Sequence, residues 1–278
     1  MTIGWTGFSP VACLLVGFFA LSAPAQGDPA KATAAAGKPG APVKIVLVGD
    51  STVATEGGWG PGFCAVMATN VTCIDDALNG RTTKSFIDQG AWRKALDRHG
   101  DYYLIQFGHN DQKPAAKLPV PAFETYLQRY IDDVRSIGAV PVLVTSLSRR
   151  TFKDGKVVED LTDYVNATRE VGARNDISVI ELNALSTALL NRMTQEQADR
   201  FDKNADSETG KLVATPAADN VTATASGVDR PAAPAALDRT HLNPYGQKVF
   251  GRIVADQLAR TQVELCPDIL ADPVKPAN

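Results

Sequence analysis

Four short motifs carry the residue types that acyl transfer needs. Gly49-Asp50-Ser51 follows the apolar run Lys44–Val48 and puts a serine hydroxyl where a strand ends. Ligands of open parallel sheets bind beyond the carboxyl ends of the strands, so this serine can face a crevice. The same tripeptide is also ordinary turn chemistry. Asp238-Arg239-Thr240-His241 places a carboxylate and an imidazole three residues apart, just before a helical stretch. On a short turn both can enter one crevice, where the histidine takes a proton from a serine and the aspartate fixes its tautomer. A helix cap beside an incidental histidine is the alternative. Gly108-His109-Asn110-Asp111 follows the run Tyr102–Phe107 and can aim the Asn110 amide at a developing oxyanion. In Asn79-Gly80-Arg81, Gly80 lets a backbone N–H come close to a ligand. Each of these last two also reads as a plain turn. Of the three histidines, the remaining one, His99, sits at an expected helix end and reads as a surface residue.

Regular elements must hold these motifs together. Lys44–Val48, Tyr102–Phe107, Val140–Thr145 and Ile177–Glu181 are short apolar runs, as expected of strands buried on both faces. Between them lie helical patterns. Phe123–Ile137 carries Phe123, Tyr126, Leu127, Tyr130, Ile131 and Val134 near one stripe. Leu161–Arg174, Leu182–Phe201 and Pro244–Arg260 also read as helices, the last with Pro244 in its first turn. Strands alternating with helices imply a parallel sheet covered on both faces. Residues 203–237, rich in Ala, Thr, Pro, Asp and Ser, interrupt the pattern as a long irregular excursion.

The four motifs together say more than any one of them. Nucleophile, oxyanion donors, orienting acid and base occur in chain order, from strand ends and the start of the last helix. The order Ser…Asp…His also occurs in α/β-hydrolases, but those present the serine in G-x-S-x-G, which is absent here. The chain resembles the SGNH (GDSL-like) hydrolases from about Lys44 to Arg260. Gly49-Asp50-Ser51-Thr52-Val53-Ala54, Gly58-Trp59-Gly60, Asn79-Gly80-Arg81-Thr82, Gly108-His109-Asn110-Asp111 and Asp238-Arg239-Thr240-His241-Leu242-Asn243 are similar to rhamnogalacturonan acetylesterases, family 12 of the carbohydrate esterases. The resemblance implies a flavodoxin-like three-layer α/β/α sandwich on a mostly five-stranded parallel sheet. It also implies metal-free removal of acetyl groups from pectin, with Ser51, Asp238 and His241 as catalytic residues. The oxyanion site would be the Ser51 and Gly80 amides and the Asn110 side chain. On the substrate side, Trp59 is either a platform for a sugar ring or a core tryptophan. Arg81 either reaches a uronate carboxylate or sits in a structural ion pair, and His109 joins the substrate-facing set. The excursion, residues 203–237, which abuts Asp238, departs from the family pattern.

Composition removes other classes. With 28 basic against 31 acidic residues and a net charge of −3, nothing is left over to grip nucleic acid. No apolar run reaches the length of a membrane span. Scattered histidines do not make a metal cluster, so no cofactor is expected. Met1–Ala25 reads as a secretory signal, with an apolar core at Val11–Leu21 and small residues at Ala23 and Ala25, although its start lacks Lys and Arg. Residues 26–42 read as a linker, 43–263 as the hydrolase domain and 264–278 as a tail. The product is a secreted or periplasmic protein, expected as a monomer acting on an acetylated polysaccharide. Export permits a Cys64–Cys73 disulfide and leaves Cys266 as the odd cysteine. Competing readings are an SGNH esterase for acetylated xylan, another O-acetyl glycan or a lipid, and a non-catalytic polysaccharide-binding protein.

Overall fold

The computed structural model describes residues 41–116, 118–213 and 236–270. The expected signal segment, most of the linker, residues 214–235 of the excursion and residues 271–278 lie outside that range. The strands are β1 (Val43–Gly49), β2 (Val71–Asp75), β3 (Tyr102–Gln106), β4 (Val140–Val144), β5 (Phe152–Lys153), β6 (Lys156–Val157) and β7 (Val179–Ile180). The helices are α1 (Gly60–Cys64), α2 (Thr83–Asp88), α3 (Ala91–Leu96), α4 (Val120–Ser136), α5 (Thr162–Arg174), α6 (Leu182–Leu190), α7 (Gln195–Asp199) and α8 (Pro244–Thr261).

Five strands pair in parallel in the order β2-β1-β3-β4-β7. Alternation along each strand sends side chains to two cores. Ile45, Leu47, Leu104, Val142 and Val144 pack with Trp59, Phe63, Leu182, Ala198 and Phe250 beneath α1, α6, α7 and α8. Val46, Val48, Tyr103, Ile105 and Leu143 pack with Phe86, Trp92, Phe123 and Val171 beneath α2, α3, α4 and α5. This is the expected three-layer α/β/α sandwich. Side chains such as Leu47 and Val48 are fully enclosed, each worth roughly 1.5–3 kcal/mol over exposure. β5 and β6 form a separate hairpin around Asp154 and Gly155.

The order places β1 between β2 and β3. The connection after β1 runs to β2 and the one after β3 runs to β4, in opposite directions across the sheet, so a crevice opens at the carboxyl ends of β1 and β3. The segments after these two strands contain Ser51 and Asn110.

Some elements differ from expectation. Leu182–Phe201 is two helices rather than one. Thr194 caps α7 with its hydroxyl on the Gln197 amide, while the Gln197 side chain accepts from the Thr194 amide. That reciprocal box starts a new helix. The tail expected from residue 264 begins as packed structure. A 3₁₀ helix spans Val263–Asp268, with Leu265 in the core. Residues 203–213 of the excursion are locally tied, with an Ala205–Leu212 bridge and a turn closed on the Asp206 carboxylate.

Cys64 and Cys73 are disulfide-bonded, joining the end of α1 to β2. Cys266 is disulfide-bonded as well, so the expectation that it stands alone is not met. The Cys64–Cys73 link closes a loop with a sequence separation of 9, and chain entropy gives about 2.5 kcal/mol for that size. Replacing both by serine is therefore expected to lower unfolding free energy by roughly that amount in urea titrations. Peptide mapping of the unreduced protein should recover a Cys64–Cys73 linked pair.

Candidate active site

Ser51 stands two residues beyond β1 and is partly exposed. Its hydroxyl lies 2.7 Å from His241 Nε2. On the other side of the ring, Nδ1 lies 2.9 Å from each oxygen of Asp238. A carboxylate only accepts, so Nδ1 carries the ring proton and Nε2 is left to accept from Ser51. Asp238 Oδ1 also accepts from the backbone amides of Thr240 and His241, and Lys203 Nζ stands 3.3 Å from Oδ2. Burial pushes the Asp238 carboxyl up, but the His241 side-chain and backbone hydrogen bonds outweigh it and hold the group below the usual carboxylate range. It therefore remains ionised beneath the ring. The expected helix cap exists too, but Asn243 supplies it, accepting from the Gly246 amide at 2.9 Å.

Asn110 closes the other side of the crevice. Its Nδ2 donates to the Arg81 carbonyl at 3.0 Å, and its Oδ1 accepts from Lys113 Nζ at 2.7 Å. The ammonium fixes which end of the amide is which, and one Nδ2 proton stays available. The bond to Arg81 ties Asn110 to the Gly80 turn. Gly80 has φ +75, and a Cβ there would meet nothing, so the constraint is the left-handed backbone. Among the described residues, neither the Ser51 nor the Gly80 amide donates within the chain. Asp111 is structural: Oδ1 accepts from the Thr83 amide and hydroxyl, and Oδ2 from the Gly108 amide. It thereby staples the β3 turn to the start of α2.

Two residues read as substrate-facing are elsewhere. Trp59 is fully buried, and its indole N–H donates to Gln106 Oε1 at 2.8 Å, so it is the core tryptophan of the alternative reading. His109 is 3% exposed. Burial, then Arg149, drives its imidazole well below the ordinary value, so it is a neutral interior ring against Thr52. Arg81 does lie at the crevice. Nη1 donates to the Asn79 carbonyl at 3.3 Å and Nε has no partner. No salt bridge to Arg81 occurs among the described residues, so the structural ion pair is not found.

Beneath Ser51 runs a polar chain that no motif announced. Gln106 Nε2 donates to Thr52 Oγ1 at 2.6 Å, and Thr52 Oγ1 donates to Asp50 Oδ1 at 2.8 Å. Asp50 is fully enclosed, and burial lifts its carboxyl to about 6 despite the Thr52 hydrogen bonds. Lys113 and Lys203, which steady Asn110 and Asp238, were also missed. A lysine on a loop has no periodic or spacing signal.

The family model described as GDSL-like Lipase/Acylhydrolase matches residues 47–249. The chain belongs to that family. Curated relatives of this acylhydrolase include a rhamnogalacturonan acetylesterase of Bacillus subtilis, 36% identical over 171 residues, covering 58% of this chain and 73% of the relative. A probable rhamnogalacturonan acetylesterase of the same organism is 30% identical over 195 residues, covering 61% and 90%. Among solved structures, a Bacillus subtilis protein aligns with TM-score 0.60 at 20% identity, over 80% of this acylhydrolase and 57% of the other chain. That likeness supports the sandwich fold.

The Asn110 geometry carries a prediction. Asn110→Ala is expected to lower kcat on an aryl acetate by on the order of 10²–10³, with a much smaller change in KM. Steady-state kinetics on the folded variant check it.

Proposed function

We propose that this protein is an exported serine esterase that removes O-acetyl groups from rhamnogalacturonan. Carbohydrate acetylesterase is the coarse class that its relatives support. The observation that carries the mechanism is the unbroken hydrogen-bond chain from Ser51 through His241 to Asp238.

Ser51 Oγ attacks the acetyl carbonyl while His241 Nε2 takes its proton. Asp238 holds the ring and stabilises the imidazolium. The Ser51 and Gly80 amides and the Asn110 Nδ2 bind the oxyanion. His241 returns the proton to the departing sugar oxygen, and the acetyl group stays on Ser51 as an ester. Water, deprotonated by His241, then releases acetate. No step calls for a metal or cofactor, and the enzyme is read as a monomer.

Arg81 supports the pectin substrate. It is a cation beside the crevice of an acidic protein, and among the described residues no carboxylate pairs with it. A galacturonate next to the acetylated sugar would give its fork a bidentate partner. A secreted or periplasmic site of action fits the signal-like start and the Cys64–Cys73 bond.

Ser51→Ala is expected to abolish acetate release while circular dichroism stays native; a folded variant with a tenth of the activity would move the nucleophile elsewhere. Arg81→Gln is expected to lower kcat/KM on acetylated rhamnogalacturonan about ten- to a hundredfold, the worth of a charge-assisted contact. An aryl acetate, which has no carboxylate, should be nearly unaffected. Equal losses on both would make Arg81 a support of the loop. Equal wild-type rates on acetylated xylan and pectin would remove the acidic-sugar preference.

A further inference from the structure

Arg150 and Asp202 form an ion pair at 3.4 Å with both side chains at 0% exposure. Enclosing such a pair is seldom a net gain in stability. This one is long, and Arg150 Nε has no partner. The closest contact of the guanidinium is not the carboxylate. Nη2 donates to the His241 carbonyl at 2.6 Å, and Nη1 reaches the Thr240 carbonyl at 3.4 Å. The Arg150 backbone N–H donates to the Arg239 carbonyl at 2.8 Å. Three successive carbonyls, Arg239 to His241, therefore end on one residue. Asp202 adds the opposite polarity, with Oδ2 accepting from the Arg239 amide and Oδ1 from the Asn204 amide.

The segment held in this way is strained. Arg239 has φ 55, a left-handed conformation that a non-glycine residue keeps only where its surroundings over-determine it. Arg239 lies between Asp238 and His241, and its turn is what sets the carboxylate of one against the imidazole of the other. Unlike a neutral donor, a planar guanidinium can serve two carbonyls and a carboxylate from one rigid fork.

We infer that Arg150, oriented by Asp202, is a positioning residue for His241. It fixes the peptide units from Arg239 to His241 so that Nε2 stays on Ser51 Oγ. It touches neither the substrate nor the ring. The inference rests on the serine-esterase reading above, and displacing a reacting group by about 1 Å costs on the order of 10² in rate.

The test compares wild type, Ser51→Ala, Arg150→Lys and Asp202→Asn on an aryl acetate, with thermal unfolding measured beside kinetics. Arg150→Lys is expected to fold and to lose about 30- to 100-fold in kcat, with KM changed less than about threefold. Asp202→Asn is expected to lose about tenfold in kcat. Covalent labelling of Ser51 by an aryl phosphonate should slow by the same factors, because it also needs the imidazole in place. A scaffold role would lower the melting temperature and leave kcat and labelling of the folded protein unchanged. That result overturns the inference, as does a loss confined to KM. If Arg150→Lys does not fold, Asp202→Asn decides; if neither folds, the pair is scaffold and the inference falls. Activity retained by Ser51→Ala would instead remove the esterase mechanism itself, whatever the Arg150 variants do.

Discussion

Everything at the site depends on β1 pairing in parallel with strands on both sides. Val46, Leu47 and Val48 are completely enclosed, so the position where β1 stops is rigid to within the packing of two cores. Gly49 pairs with Gln106 of β3 in register, which brings the turns after both strands to the same edge. The serine turn and the Asn110 turn meet there because the sheet order leaves no helix between them. A site built on strand ends is held more firmly than one on free loops. The buried Thr52–Gln106–Trp59 hydrogen bonds extend that firmness into the turn itself.

The polar interior under Ser51 has an energetic cost. Asp50 Oδ2 is enclosed without a hydrogen-bond partner, 3.9 Å from His109 Nδ1. Its carboxyl, ordinarily at 3.8, is raised to about 6 by burial. A raised acid disfavours its ionised form in the folded state. Below 3.8 both folded and unfolded chains hold the proton; the penalty grows as pH rises from 3.8 and is fully present above about 6. The fold tolerates this because the same carboxylate closes the turn, accepting the Thr52 amide and hydroxyl on Oδ1. Structure beneath a reactive group often trades stability for geometry in this way.

The candidate site residues were legible because few residue types can do such chemistry. A serine, a histidine with an aspartate three before it, and an asparagine at a strand end stand out in a chain with three histidines. The continuous apolar strands were equally plain, since burial on both faces leaves no polar position. β2 was harder. Val71–Asp75 is short, half-exposed and at the sheet edge, so it lacks both the continuous run and clean alternation. Trp59 between glycines looked as much like a sugar platform as a core residue, and its complete burial with the Gln106 contact separates the two. Arg150 was invisible for a different reason. Its partners are backbone carbonyls some ninety residues away, and carbonyls have no sequence signature.

Charge placement ties the site's parts together. The chain is acidic overall, yet cations gather where negative charge is held or formed. Lys203 and Arg150 both hold the Asp238–His241 turn, and Lys113 sits on the Asn110 amide. Their effects differ by depth. Lys113 and Lys203 are exposed, so water and salt screen their fields. Their main effect is to fix the orientation of an amide and a carboxylate. Arg150 is enclosed, where a charge acts through a lower dielectric, and Asp202 offsets it beside the loop. The paired charge leaves the hydrogen-bonding fork in place while limiting its repulsion of an imidazolium. A lone buried guanidinium would oppose the protonated His241 of the proposed acylation, whereas a neutral group would not span the carbonyls. The ion pair meets both conditions, which accounts for a buried charge where an apolar residue would pack at less cost.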